Sequence, residues 1–334
     1  MDEKIISFII CPNCGTSTFM LKKFSNVNND IYEGIVTCNL CKIWYKIEYG
    51  VLDLLPLNLR RYDLYQEFAE RYEIHLNVVD AASADPQKKE QILFFKKDFS
   101  SYENDIVNST YYSALDKLTF EKWFNENSDR INDPILEVGC GSGRQSIKIA
   151  NKYKDVICID ISEEMILLAK SKTDQMNRPD NLNFIVGDAE DPPVKNNMFG
   201  ACIICATLHH LSSPEKAIRN LSNKLVNGGL FYSIDPHDSD VRFIFDYLMK
   251  IWKLYDEEAS PSPLIEEKNL QKWLLEAQIQ SNIRYSTYLP PHIFLFLREK
   301  LSLTLLKCTD NFFNKIPLFF RFSGIISSEG IKNE

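Results

Sequence analysis

Ile135-Leu136-Glu137-Val138-Gly139-Cys140-Gly141-Ser142-Gly143 is an apolar run carrying one acid that ends in three alternating glycines. A strand that turns sharply into a helix needs residues tolerant of positive φ, and a ligand lying against backbone needs the Cβ removed. Gly139, Gly141 and Gly143 answer both needs, and Arg144–Tyr153, with Ile147, Ile149, Ala150 and Tyr153 apolar, reads as the helix that follows. The N-terminus of such a helix offers unpaired N–H groups to an anionic part of a ligand. Two further acids close apolar runs: Asp160 after Val156-Ile157-Cys158-Ile159, and Asp188 after Phe184-Ile185-Val186-Gly187. A carboxylate about twenty residues beyond the glycine turn is placed to accept hydrogen bonds from both hydroxyls of a ribose. Asp188, with the Ala189 backbone beside it, is placed to accept from an exocyclic adenine amine. The three acids describe a nucleoside ligand held across the strand ends of a parallel sheet.

Nicotinamide-binding enzymes use a similar turn, but their fingerprint asks for a further glycine where this chain has Arg144 or Ser146. The pattern Glu-x-Gly-x-Gly-x-Gly, with acids after the second and third strands, instead resembles class I methyltransferases that use S-adenosylmethionine (SAM). The resemblance runs from Ile135 to about Asp235. Cys202-Ile203-Ile204-Cys205-Ala206-Thr207-Leu208-His209-His210-Leu211 matches their fourth strand and following loop, and Asn227-Gly228-Gly229-Leu230-Phe231-Tyr232 their helix stop and fifth strand. It is most like the broad small-molecule branch labelled type 11. The resemblance implies an α/β fold with a doubly wound, Rossmann-like, mostly parallel seven-stranded sheet whose last strand is antiparallel. It also implies SAM held by Glu137, Gly139, Cys140, Gly141, Gly143, Asp160, Ile161, Asp188, Ala189 and Ala206.

The chain's 334 residues suffice for one sizeable domain and a smaller one. A net charge of −8 argues against a dominant electrostatic grip on nucleic acid, although it leaves room for a local basic patch. No stretch of eighteen uninterrupted apolar residues occurs, and Ile5–Ile10 is too short for a signal peptide, so a cytoplasmic protein is expected. Nine cysteines in that setting point to metal rather than disulfides.

Cys11-Pro12-Asn13-Cys14 and Cys38-Asn39-Leu40-Cys41 are paired CxxC knuckles around a hairpin-sized insert. Each knuckle turns two thiolates toward one centre, and four complete a closed, tetrahedral, structural zinc site; four free thiols are the alternative. Some sixty residues bury little apolar surface alone, which a metal tie remedies. With the following Ile43–Pro56, residues 5–57 resemble the small zinc-ribbon subunit that activates tRNA and translation-factor methyltransferases. Certain rRNA guanine methyltransferases carry a related module with a histidine in the second knuckle, a pattern from which Cys41 and Lys42 depart. Cys202 and Cys205 also form a CxxC, but on a strand residues three apart face opposite ways, so they read as buried thiols.

The domains expected are therefore a zinc ribbon at 1–57, a helical linker and cap at 58–133, and the methyltransferase domain at 134–334 with an apolar insert at about 289–316. Leu64, Phe68 and Tyr72 fall at helical spacing, as do Tyr112, Leu115, Leu118 and Trp123; Ala81–Pro86 reads as a joint. In the resembling family such helices cover the cofactor, which puts Tyr102, Tyr111 and Tyr112 either on that side or against the sheet. Val241–Tyr255 and Leu264–Gln278 read as helices, the second capped by Ser262 and Pro263. Ile283–Tyr288 and Phe319–Ile326 read as the last two strands. Between them 290–313 reads as an amphipathic lid touching a greasy substrate or a bilayer surface, or as a helix packed on the sheet or a second subunit.

His209, His210 and Asp235 follow the fourth and fifth strands on the edge where an acceptor meets the methyl group. One histidine is a candidate general base; packing and loop capping are the alternatives. His237 opens on the same edge. No Asn-Pro-Pro-Tyr follows the fourth strand, which argues against DNA or glutamine N-methylation. The expected activity is methylation of a small-molecule or lipid-like metabolite. A tRNA, rRNA or translation-factor acceptor is the alternative, and a non-enzymatic SAM-binding scaffold is a third reading.

Overall fold

The computed structural model describes residues 1–27, 30–76, 85–102, 108–175, 181–252 and 264–333, with side chains throughout except at 95–102 and 151. Its centre is a single mixed sheet of eleven strands: β1 (Phe19–Val27), β2 (Asp30–Cys38), β3 (Trp44–Glu48), β4 (Val51–Asp53), β5 (Ile135–Val138), β6 (Val156–Asp160), β7 (Leu182–Val186), β8 (Phe199–Cys205), β9 (Leu225–Pro236), β10 (Ile279–Ser286) and β11 (Ile325–Lys332). They lie in the order β1-β2-β3-β4-β7-β6-β5-β8-β9-β11-β10. The five strands from β7 through β9 are parallel and buried on both faces, which is why they are nearly continuous apolar runs. The chain reverses direction to each side of β5, at the point where open α/β sheets bind ligands.

Ten helices cover the sheet and its ends among the described residues: α1 (Tyr62–Arg71), α2 (Pro86–Tyr102), α3 (Thr110–Leu118), α4 (Phe120–Asn127), α5 (Ser146–Ile149), α6 (Glu163–Gln175), α7 (Pro214–Lys224), α8 (Arg242–Ile251), α9 (Glu267–Glu276) and α10 (Glu299–Phe313).

The seven strands of the expected sheet are present, and β11 runs antiparallel to β9 and β10. The ribbon, however, is not a module apart. β4 pairs parallel with β7, Leu52 opposite Ile185 and Asp53 opposite Val186, so four N-terminal strands extend the sheet to eleven. A bare β7 edge would leave a row of N–H and C=O groups unpaired, and β4 covers it. The apolar core is continuous across the join: Ile9, Val36, Tyr45, Ile47 and Leu52 belong to one cluster with Leu136, Ile157, Ile159 and Ile185. Charge fastens it as well. Lys46 on β3, 1% exposed, lies between Glu48 and Glu163, at 2.8 and 2.5 Å, and Arg61 pairs with Glu164 at 3.1 Å.

Several boundaries differ from expectation. The helix after the glycine turn is only Ser146–Ile149 with one 3₁₀ turn beyond it, because the Asn181 amide takes the carbonyls of Ala150 and Tyr153. The last two strands are Ile279–Ser286 and Ile325–Lys332, and Phe319–Phe322 is a 3₁₀ turn. Its rings pack sideways, Phe319 stacked on Phe313 at 4.6 Å and Phe320 against Tyr285, while a serine pair (Ser233 with Ser328, 2.7 Å) lies in the ladder. Helix α9 starts after Glu266; Ser262, Pro263, Ala81–Ala84 and the Tyr102 side chain lie outside the described residues. The apolar insert folds as a 3₁₀ turn, Pro291–Phe296, and α10, which packs on α3. Phe294 and Leu306 reach the core, but Leu295, Phe296, Leu301 and Phe312 face outward.

Candidate functional site

Gly139, Gly141 and Gly143 all turn with positive φ, at +65°, +51° and +82°. At Gly139 a Cβ would stand 2.1 Å from the Thr207 hydroxyl, so no other residue fits without moving β8's loop. The turn is held from the next strand: Asp160 Oδ2 accepts the Gly141 N–H at 2.8 Å, and Oδ1 accepts that of Ser162 at 2.9 Å. Burial pushes the Asp160 carboxyl up, and these N–H bonds oppose that shift. Ser162 in turn bonds the Met165 N–H and begins α6.

A cleft of about 90 Å³ opens above this turn. Of the residues expected around a nucleoside, Gly139, Gly141, Asp160, Ile161, Asp188, Ala189 and Ala206 line it together. Glu137, Cys140 and Gly143 do not reach it. Glu137 lies beneath the turn, accepts from the Ser146 hydroxyl and is pushed up to about 7 by burial. Cys140 is buried in the core under the sheet, and Gly143 lies against Ala169 and Ile147 of the neighbouring helices.

A covering helix was expected in 58–133, but the residues by which α2 walls the cleft were not. Lys88 and Gln91 close the cleft, and the Lys88 ammonium pairs with Asp188 and Glu190, 2.7 Å from each. Asp188, expected to accept from an adenine amine, is thus occupied by a lysine a hundred residues earlier, a contact no local pattern reveals. Gln87 adds a bond to the His210 carbonyl at 3.0 Å. Thr207, Cys205, Met165 and Leu211 complete the lining.

The three candidate catalytic residues converge. His209 Nδ1 lies 2.8 Å from Asp235 Oδ1, and the rings of His209 and His210 are 3.9 Å apart, His210 lining the cleft. Burial lowers His209 to about 3 and raises the Asp235 carboxyl. Oδ1 also accepts the His209 backbone N–H at 3.2 Å, so Asp235 holds both the ring and the backbone of His209. Asp235 Oδ2 is buried with no hydrogen-bond partner among the described residues.

A second cavity of about 310 Å³ is walled by Tyr111, Tyr112, Phe245, Leu289, Phe313 and Phe319, with Arg242, His237 and Thr287 its main polar groups and Pro236, next to Asp235, in its lining. Tyr111 and Tyr112, read as covering the cofactor or packing on the sheet, line this cavity and not the cleft. His237 also belongs here, its Nδ1 bonded to Ser323, away from the His209–Asp235 pair.

Far from this edge, Cys11, Cys14, Cys38 and Cys41 bring four sulfurs within 4.8 Å of one another. Cys11–Cys41 and Cys14–Cys38 are 3.6 and 3.5 Å apart. Tetrahedral Zn–S bonds of about 2.3 Å require S–S edges of about 3.8 Å, so the donor set fits zinc. Cys202 and Cys205 face opposite sides of β8, the first in the core beneath α7 and the second toward the cleft.

Residues 136–233 match the family model of a methyltransferase domain. Among curated relatives, the chain is 29% identical over 160 residues to the ubiquinone/menaquinone biosynthesis C-methyltransferase UbiE of Rickettsia bellii, covering 42% of this chain and 64% of that one. It is 30% identical over 137 residues to UbiE of Rickettsia prowazekii, covering 39% and 55%. The chain thus spans less than two thirds of these relatives' length. Among solved structures, magnesium protoporphyrin IX methyltransferase from Synechocystis PCC 6803, determined with bound SAH, aligns with a TM-score of 0.52 at 15% identity over 74% of this chain and all of that one. That likeness is one of fold. No helix among the described residues is long and apolar enough to cross a membrane.

Proposed function

We propose that this chain is a SAM-dependent methyltransferase whose acceptor is a small, apolar or lipid-like molecule seated in the aromatic cavity. The observation that carries the reading is a pair of sites, a glycine-floored, acid-edged cleft lined by His210 and an aromatic cavity lined by Pro236, each one residue along the chain from a member of the His209–Asp235 pair. The residues present suit the cofactor. The glycine turn removes side chains where a ligand lies on backbone, and Asp160 presents a buried carboxylate to a ribose. When bound, SAM supplies an electrophilic methyl on a sulfonium.

The protein's part is to hold the acceptor in line, exclude water and remove a proton. His209, oriented through Nδ1 by Asp235, is the candidate to take a proton at Nε2, and because burial lowers its ring to about 3 it would do so only from an acceptor whose proton the methyl transfer makes strongly acidic. The relatives' name, a C-methyltransferase of quinone biosynthesis, supports a carbon atom in a small molecule. The ribbon's resemblance to a translation-linked activator favours an RNA or translation-factor acceptor instead. The apolar lining of the cavity counts against that alternative. Four thiolates at the ribbon would hold a structural zinc, with no open position for chemistry.

The test is incubation with SAM carrying a labelled methyl and fractionated cell extract. Label is expected in an organic-extractable small molecule, and His209→Ala should lower kcat about a hundredfold while SAH affinity stays unchanged. Label confined to RNA or protein, or an undiminished kcat in His209→Ala, would overturn the reading.

A further inference from the structure

We infer that the face around the mouth of the aromatic cavity is a docking surface for a membrane that carries anionic lipid. On α8, Phe243, Tyr247 and Ile251 recur every fourth residue, so they form one stripe, and they are 68%, 64% and 66% exposed. Only Met249 of that helix is buried. From the apolar insert, Phe296 is 73% exposed and its neighbour Trp252 touches it ring to ring at 5.3 Å. Phe312 at the end of α10 and Leu318 after it are exposed as well. These side chains surround the cavity rather than scatter. Phe312 touches Phe313 at 5.1 Å, and Phe313 and Phe245 are themselves cavity walls. An exposed apolar face of this extent marks an interaction surface.

Charge identifies the partner. Residues 242–252 and 290–323 hold seven basic and three acidic side chains, a local excess of positive charge in a chain of net −8. The three acids are engaged: Asp246 with Arg242, Glu299 with Lys117, and half-buried Asp310 where it accepts from Ser286 and the Thr287 N–H. Among the basic groups, Arg321 pairs with Asp240, whereas exposed Lys300, Lys307 and Lys315 pair with no carboxylate among the described residues. A basic rim around an apolar face matches an anionic lipid surface, where aromatic groups enter the interface and lysines meet headgroups. A second copy related by a two-fold axis would set the same positive rims against each other.

Docked in this way, the cavity mouth opens onto the bilayer, and an apolar acceptor passes into it without crossing water. That last step rests on the methyltransferase reading; the docking itself does not. The test is co-sedimentation of the full chain with vesicles of phosphatidylcholine alone and of phosphatidylcholine mixed with phosphatidylglycerol, with light scattering and SAH titration on the same samples. Binding is expected to the mixed vesicles, about tenfold weaker to the neutral ones, and weakened by salt. Two paired substitutions, Phe243→Asp with Phe296→Asp, and Lys300→Glu with Lys307→Glu, should each abolish it while the thermal midpoint and SAH affinity hold. Folded, SAH-binding protein that ignores the mixed vesicles would overturn the proposal, as would a dimer that the phenylalanine substitutions convert to monomer. Vesicle binding without SAH binding would keep the docking surface and remove the methyltransferase reading.

Discussion

His209, His210 and His237 are three of the chain's five histidines, and burial lowers all of them below the ordinary imidazole range. As pH falls through 6.5 the unfolded chain protonates these rings while the folded chain does not. The stability they contribute is therefore complete above that pH and lost as pH drops. Glu137 and Glu163, each raised to about 7, run the other way, losing stability as pH rises toward that value. A single histidine is thus best isolated by difference. His237, whose bond to Ser323 lies apart from the dyad, is the cleanest case. Between pH 7 and 5, His237→Gln should lose less stability than the parent, by at most about 1.4 kcal/mol per pH unit. Urea unfolding at the two pH values checks this, and an equal loss in both proteins would contradict it. At this scale the sequence was legible where one residue type answers one need: the glycines of the turn and the acids at strand ends. It was silent on Lys88, whose role depends on α2 folding back over Asp188.

Between elements, the buried Lys46 of β3 is the clearest dependency. It faces Glu48 on its own strand and Glu163 in the first turn of α6, the helix that starts just after Asp160. Removing one partner of a buried pair leaves the other charge unpaired, at a cost of about 3–5 kcal/mol. Lys46→Met should lower stability by that amount, and adding Glu163→Gln should restore part of it, as measured by urea unfolding of the two variants. A neutral Lys46→Met would mean that ribbon and α6 are not fastened there. Element boundaries were less legible than their order. The aromatic Phe319–Phe322 has the composition of a strand, yet its rings pack better on Phe313 and Tyr285 than in a ladder. The true strand is Ile325–Lys332, with serines and a glycine that look like loop. Helix α5 is cut short by Asn181, a residue from the far side of β6.

Over the whole molecule, the paired CxxC knuckles announce a ribbon but not its attachment, since the joining strand Val51–Asp53 is only three residues long. Tertiary pairing with β7, not propensity, makes it a strand. The four-cysteine cluster, sheet and cleft consequently belong to one body, with β4 beside β7 and the β7 end leading to Asp188. The succession of β5 to β9 was legible because each buried parallel strand is an apolar run whose end lies at a cavity-lining residue. The central claim, that a nucleoside cofactor lies across those ends with Asp160 at its ribose, is tested most directly by calorimetric titration with S-adenosylhomocysteine. Parent and Asp160→Ala would be titrated side by side, with zinc content read on the same samples. The account predicts micromolar binding by the zinc-loaded parent, and a loss of at least about tenfold in the variant for the hydrogen bonds to a charged group that it forgoes. No binding by the folded parent, or equal binding by both proteins, would contradict it.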